Sequence, residues 1–146
     1  MSHRINHIAV WLLVIVDQGI GALWYSLAFI ANPWIAYHGK RMEDADASDF
    51  TPFIVSIVAA IATNYALAWL LSRLSVATVV GALKVALLCW FAFLFVDYAT
   101  ITSFSAFGRN PWILICIDMG RTFLVFAVAG LVLGSWPRRP QAVLVS

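Results

Sequence analysis

The 146-residue chain is 63% hydrophobic and 11% charged, with a formal net charge of +2 and a mean hydropathy of +0.91. Soluble globular domains carry about 25% charged residues, so the composition excludes that class and predicts an integral membrane protein. The small positive charge comes from flanking Arg and Lys residues, which gives no basis for nucleic acid as a partner. The sequence contains no Walker loop, dinucleotide glycine fingerprint or paired-cysteine motif, so we expect no metal and no cofactor.

Four apolar stretches follow one another along the chain, each close to the ~20 residues that cross a ~30 Å hydrocarbon layer. They cover residues 8–30, 52–71, 76–98 and 112–136. The sequence therefore predicts an all-α integral membrane protein, a four-transmembrane-helix bundle that forms a single domain over residues 1–146. The connection at residues 31–50 is the one long enough to fold outside the bilayer, and we interpret it as a solvated linker with room for one short helical turn.

The first two stretches carry polar residues at depths where hydrocarbon would surround them. With a helical rise of ~1.5 Å per residue, Asp17 lies about 14 Å into the first helix and Asn64 about 18 Å into the second. Gln18 is close to Asp17 in level, and Gly21 and Trp24 share the helix face of Asp17. The first helix is thus predicted to have a polar, small-residue seam.

The third and fourth stretches carry charges at comparable depths. Lys84 lies about 12 Å into the third helix, and Arg121 about 14 Å into the fourth, with Asp118 near the same level. Thr51-Pro52 and Asn110-Pro111 each place a capping residue before a proline, which predicts the starts of the second and fourth helices.

Together these residues form a predicted mid-membrane polar layer: Asp17, Gln18, Asn64, Lys84, Asp118 and Arg121. One central charge costs roughly 2.5–3.5 kcal/mol on insertion scales, so four uncompensated charges would cost about 10–14 kcal/mol. We therefore expect the charges to face one another, with Arg121 bound to Asp118 one turn away and to Asp17 across the helix interface. Two interpretations remain open, namely polar contacts that hold helices together and an ion or proton path.

Small residues on the fourth helix predict a packing surface. Gly120 and Gly134 lie in one stripe with Gly130 at its edge, whereas Asp118 and Arg121 point away from it. If the charges face inward, the stripe serves another neighbour or a second subunit, and we predict a homo-oligomer through this helix.

Four spans place both chain ends on one side of the membrane. The positive-inside rule favours cytoplasmic termini, because the side of the termini holds four Lys or Arg residues and the opposite side three. The first set is Arg4, Arg73, Arg138 and Arg139, and the second is Lys40, Arg41 and Arg109. Membrane lipids are the expected partners.

Short aromatic-rich motifs resemble those of a known family. Gly21-Ala22-Leu23-Trp24-Tyr25-Ser26, followed by Phe29 and Trp34, is similar to the first-helix signature of the small bacterial four-helix membrane family catalogued as domain of unknown function 1761 (DUF1761). Later segments that resemble the family are Trp90-Phe91-Ala92-Phe93, residues 107–111, Ile117-Asp118-Met119-Gly120 and Gly134-Ser135-Trp136. The resemblance implies a four-helix protein of the bacterial inner membrane without an assigned activity. Asp118 stands where the family often has asparagine, so an ion pair between Asp118 and Arg121 would be particular to this chain.

Three classes of function follow from these features. A structural or accessory membrane component acting through helix–helix contacts is the leading hypothesis. A small transporter or channel using the polar layer is the alternative, which a water-filled cavity reaching Asp17 or Asn64 would favour. A membrane enzyme is the least favoured, because Asp97, Tyr98 and His38 show no spacing of a nucleophile and a base.

The aromatic set Trp24, Tyr25, Phe29 and Trp34 has two interpretations of its own. It can bind a lipid or quinone headgroup, since its rings combine an apolar body with a polar tip. Interfacial anchoring is the simpler explanation.

Overall fold

The chain is described by a computed structural model over residues 5–26, 31–39, 41, 43, 48–106 and 109–136. Phe29, Arg4, Lys40, Arg138 and Arg139 lie outside the described residues. The elements in chain order are α1 (His7–Trp24), α2 (Ala31–Tyr37), α3 (Thr51–Arg73), α4 (Val79–Cys89), a π-helical segment (Trp90–Phe95), α5 (Val96–Ser105) and α6 (Pro111–Ser135).

Four helices are long and apolar enough to cross a membrane: α1, α3, the continuous Val79–Ser105 segment and α6. The described residues contain no β-strand. The predicted all-α class with four transmembrane helices is therefore confirmed, and the protein is a multi-pass membrane protein.

Several predicted boundaries differ from the structure. The first span ends at Trp24 rather than at residue 30, and α2 forms inside the predicted linker. The third span continues to Ser105 rather than ending at residue 98. Its last turns are rich in threonine, which lowers hydropathy, but Thr100 Oγ1 donates to the Val96 carbonyl at 2.7 Å and so satisfies its hydroxyl within the helix.

Capping explains where the later helices begin. Asn110 Oδ1 accepts from the Trp112 N–H at 3.1 Å, as expected for a cap before Pro111. At α3 the N-cap is Phe50 rather than the predicted Thr51, and its side chain makes no cap hydrogen bond; the Thr51 N–H instead donates to Asp49 Oδ1 at 2.9 Å. Hydrogen bonds from the Thr51 side chain and backbone lower the pKa of Asp49, because they stabilise the carboxylate.

The helices pack around α6, which contacts α4 most extensively and also α1, α5 and α2. Helix α3 packs mainly on α1. The buried core comprises Leu13, Leu67, Leu71, Ala82, Ala86, Phe126 and Ala129. Helix α6 thus contacts more of the other helices than any other helix of the described residues.

The glycines of α6 bring its backbone close to α4. A Cβ on Gly130 would lie 2.8 Å from the Leu83 Cα, and a Cβ on Gly134 would lie 2.8 Å from the Val79 Cα. Such distances are far below van der Waals contact, so only glycine permits this approach. The homo-oligomer remains a prediction, but α4 of the same chain covers the part of the predicted surface at Gly130 and Gly134.

Candidate functional site at the far interface

The length of α1 sets the level of the candidate site. We call the side where α1 begins and α6 ends the near side, and the opposite side the far side. With 18 residues, α1 is about 27 Å long, close to the ~30 Å thickness of the hydrocarbon layer. Tyr25, which follows α1, binds Asp118, so Asp118 lies near the far end of α1, which we call the far boundary; its predicted place in the mid-membrane layer stays a prediction.

Three neutral side chains donate hydrogen bonds to the Asp118 carboxylate. Tyr25 Oη lies 2.6 Å from Oδ1, and Trp34 Nε1 lies 3.1 Å from the same oxygen. Tyr98 Oη donates to Oδ2. We call these four residues the Asp118 cluster. Its members come from the end of α1, from α2, from α5 and from α6, so the carboxylate joins four separate parts of the fold.

The π-helical segment positions Tyr98. Such a segment holds more residues per turn than an α-helix, so it rotates every side chain that follows it. Trp90, its first residue, donates from Nε1 to Thr122 Oγ1 at 2.9 Å, and Thr122 donates to the Met119 carbonyl at 3.1 Å. The segment is therefore attached to α6 one turn from Asp118, and α5 continues with Tyr98 directed at the carboxylate.

A second polar contact lies one turn deeper. Arg121 forms the predicted ion pair with Asp17, which is 8% exposed. Gly21 provides the space, because a Cβ there would lie 3.2 Å from Arg121 Nη2. Trp24 Nε1 donates to the Ile117 carbonyl at 3.0 Å and closes the same interface between α1 and α6.

The predicted ion pair between Asp118 and Arg121 is absent from the described residues. The physical reason is local. Three donors already bind the Asp118 carboxylate, and the space beside Gly21 allows the Arg121 guanidinium to extend towards α1. Gly120 has a related role, since a Cβ there would lie 3.1 Å from the Trp24 ring.

The remaining layer residues do not join this site. Asn64 is 2% exposed and donates to the Ala60 carbonyl of its own helix at 2.9 Å, and Gln18 Oε1 accepts from Ser56 Oγ at 3.3 Å. The Lys84 side chain is exposed, and its place in the polar layer stays a prediction. Because α4 begins at Val79 rather than at residue 76, Lys84 is only about 8 Å from the near end of its helix.

The candidate enzyme residues do not converge. Tyr98 binds Asp118, His38 Nδ1 lies 2.8 Å from the Trp34 carbonyl, and Asp97 is exposed. Within the part of the chain that the structure describes, no three His, Cys, Asp or Glu side chains are grouped to hold a metal ion. Tyr98 was predicted only as a candidate catalytic residue. Ser26 and Tyr37 were not predicted as site residues, although a hydroxyl or an aromatic ring at a predicted interface could have indicated them.

The fold and the Asp118 cluster define a multi-pass α-helical membrane protein with a carboxylate held by aromatic donors at its far boundary. The sequence model of the family described as "Protein of unknown function (DUF1761)" matches residues 8–134. The chain therefore belongs to the DUF1761 family, and the resemblance seen in its motifs is confirmed. No curated protein and no solved structure matches the chain.

Proposed function

We propose that this protein is a structural or accessory component of the bacterial inner membrane, acts through helix–helix contacts and has both termini in the cytoplasm. The observation that carries the proposal is the ion pair between Arg121 and Asp17. Two opposite charges that bind each other inside one chain offset most of the insertion cost that each would have alone. Such a pair needs no transported ion to neutralise it.

The neighbouring polar groups support the same proposal. The amide of Asn64 is satisfied by its own helix, and Gln18 is bound by Ser56 on the adjacent helix. Contacts of this kind contribute on average about 0.6 kcal/mol each to helix association in membranes. The contact between Gln18 and Ser56 therefore connects α1 with α3, whereas the hydrogen bond of Asn64 stays within α3.

The test is aqueous accessibility of the interior in intact membranes. Cys89 and Cys116 are replaced by alanine, and single cysteines are introduced by Asn64→Cys and Gln18→Cys. We expect neither cysteine to react with a membrane-impermeant maleimide until the protein is denatured. Asp49→Cys, on an exposed residue before α3, is the matched positive control.

A small transporter or channel is the second candidate, and one observation favours it. Asp118 has three neutral donors and no cationic partner among the described side chains. An unmatched carboxylate at the far boundary is where a cation arriving from water would first meet the protein. Labelling of Gln18→Cys in intact membranes would move this candidate ahead of the structural role.

A further inference from the structure

We propose that the Asp118 cluster binds a primary ammonium group at the far side of the membrane, a role beyond the structural one proposed above. The first argument is charge. Asp17, Arg121 and Asp118 together carry a formal charge of −1, because the single guanidinium is taken by Asp17. A carboxylate at an apolar boundary without a cation is costly, and a cationic ligand would remove that cost.

The second argument is the supply of hydrogen-bond acceptors. A carboxylate has about four lone-pair positions, and three donors leave one of them free at Asp118. The hydroxyls of Ser26 and Tyr37 are buried and have no hydrogen-bond partner among the described residues. Ser26 directly follows Tyr25, and Tyr37 lies one helical turn after Trp34 on α2.

These acceptors match one ligand chemistry. An ammonium group has three N–H donors and no acceptor, so it pairs with a carboxylate and with hydroxyl oxygens that accept. A metal ion is a poorer match, since the indole N–H of Trp34 occupies a carboxylate oxygen and cannot coordinate a metal.

The third argument is the aromatic surrounding. The rings of Tyr25 and Trp34 meet edge to face with centroids 5.5 Å apart, and the His38 ring lies 4.3 Å from that of Trp34. Aromatic faces attract cations, most strongly where water is excluded. The cluster thus combines a full negative charge with ring surfaces, as sites for organic cations do.

The level of the site allows two sources for the ammonium group. It can belong to the headgroup of an aminophospholipid in the far leaflet, or to a free amine from the aqueous side. Both present the same donor group to Asp118, so they are separated by experiment.

The lipid experiment uses the full-length protein in detergent with equal amounts of phosphatidylethanolamine and phosphatidylcholine, and counts retained lipids by native mass spectrometry. We expect wild-type protein to retain the primary ammonium lipid with a preference of about tenfold, the order expected for hydrogen bonds to a charged group. Asp118→Asn should abolish the preference. Asp97→Asn, an exposed carboxylate one residue from Tyr98, is the matched control and should retain it.

The amine experiment uses protein in phosphatidylcholine nanodiscs, titrated with hexylamine while tryptophan fluorescence is recorded, because Trp34 lies in the cluster. A saturable response lost in Asp118→Asn indicates a site open to free amines. Lipid preference without this response assigns the site to the headgroup. Absence of both in wild-type protein, or persistence of both in Asp118→Asn, overturns the proposal.

A second variant keeps the proposal testable if Asp118→Asn fails to fold. Ser26→Ala removes a buried hydroxyl that has no partner among the described residues, so it should leave stability unchanged or raised. It should nevertheless weaken ammonium binding several-fold. Because the interior accessibility test uses Asn64 and Gln18, its outcome is independent of this site, and either proposal can fail alone.

Discussion

Two carboxylates on facing helices have opposite environments, although the sequence makes them look alike. Asp17 binds the guanidinium of Arg121, whereas Asp118, one turn from that arginine, accepts from three neutral aromatic donors. The difference arises from the space at Gly21, which directs the guanidinium across to α1. At the residue scale, therefore, the absence of a side chain at Gly21 determines that Arg121 neutralises Asp17 and not Asp118.

Replacement of Arg121 by leucine should destabilise the protein by about 3 kcal/mol, because it leaves Asp17 buried without a cation. The measurement is unfolding in mixed detergent and SDS micelles, followed by circular dichroism. The double variant Asp17→Leu/Arg121→Leu should recover most of the loss, since it removes the unpaired charge as well. An Arg121→Leu protein as stable as wild type would contradict the assigned role of the ion pair.

Glycine-to-alanine changes at Gly19 and Gly21, two residues apart on α1, should have different effects on stability. Gly19→Ala meets nothing within 4 Å, so it should stabilise α1 by up to about 1 kcal/mol through helix propensity. At Gly21 the new Cβ would lie 3.2 Å from Arg121 Nη2, and pushing the guanidinium away should cancel that gain. The same unfolding assay compares the two variants, and equal stabilisation would show that Gly21 does not position Arg121.

Helix α6 has two different faces, and each has its own neighbour. Gly130 and Gly134 approach the backbone of α4. Asp118 binds side chains of α5 and α2, and Arg121 binds Asp17 of α1. A helix with a small-residue face and a polar face can pack closely on one side and be tied by hydrogen bonds on the other. At the scale of elements, α6 thus organises the remaining helices.

Gly130→Ala should destabilise the chain by about 1–3 kcal/mol without changing its oligomeric state, because the added methyl group would lie 2.8 Å from the Leu83 Cα. Unfolding in detergent and light scattering of the purified protein test the two parts of this prediction. Gly19→Ala is the control. An unchanged stability together with a lost oligomer would instead assign the glycine face to a second subunit.

For the whole molecule, the contact between Tyr25 and Asp118 implies that the far ends of α5 and α6 extend past the end of α1. Asp118 is seven residues after Pro111, so about 10 Å of α6 lies beyond the end of α1. Helix α2 packs against α6 there, and Arg109 donates to the Tyr37 carbonyl. The protein therefore has a small helical cap on the far side, with Trp34 linking it to the membrane part.

Labelling from the two sides of the membrane should identify the orientation. In a protein without native cysteines, Asp49→Cys and Ser75→Cys lie at opposite ends of α3 and are both exposed. We expect an impermeant maleimide to modify the first from the periplasm, in spheroplasts, and the second only in inverted vesicles. The reverse pattern would place the termini and the near side in the periplasm.

The sequence by itself determined the membrane class, the four spans and the polar residues within them, because composition and hydrophobic length are local properties of the chain. It also predicted the pair of Asp17 and Arg121, since the cost of isolated charges leaves few other arrangements.

Only the tertiary structure decided the partners of Asp118, the neighbour of the α6 glycines and the exposure of Lys84. These depend on how far each helix extends and how it is rotated, which the π-helical segment and the gap at Gly21 set. Such rotations arise from contacts between helices that are distant in sequence, so periodicity within one helix does not specify them.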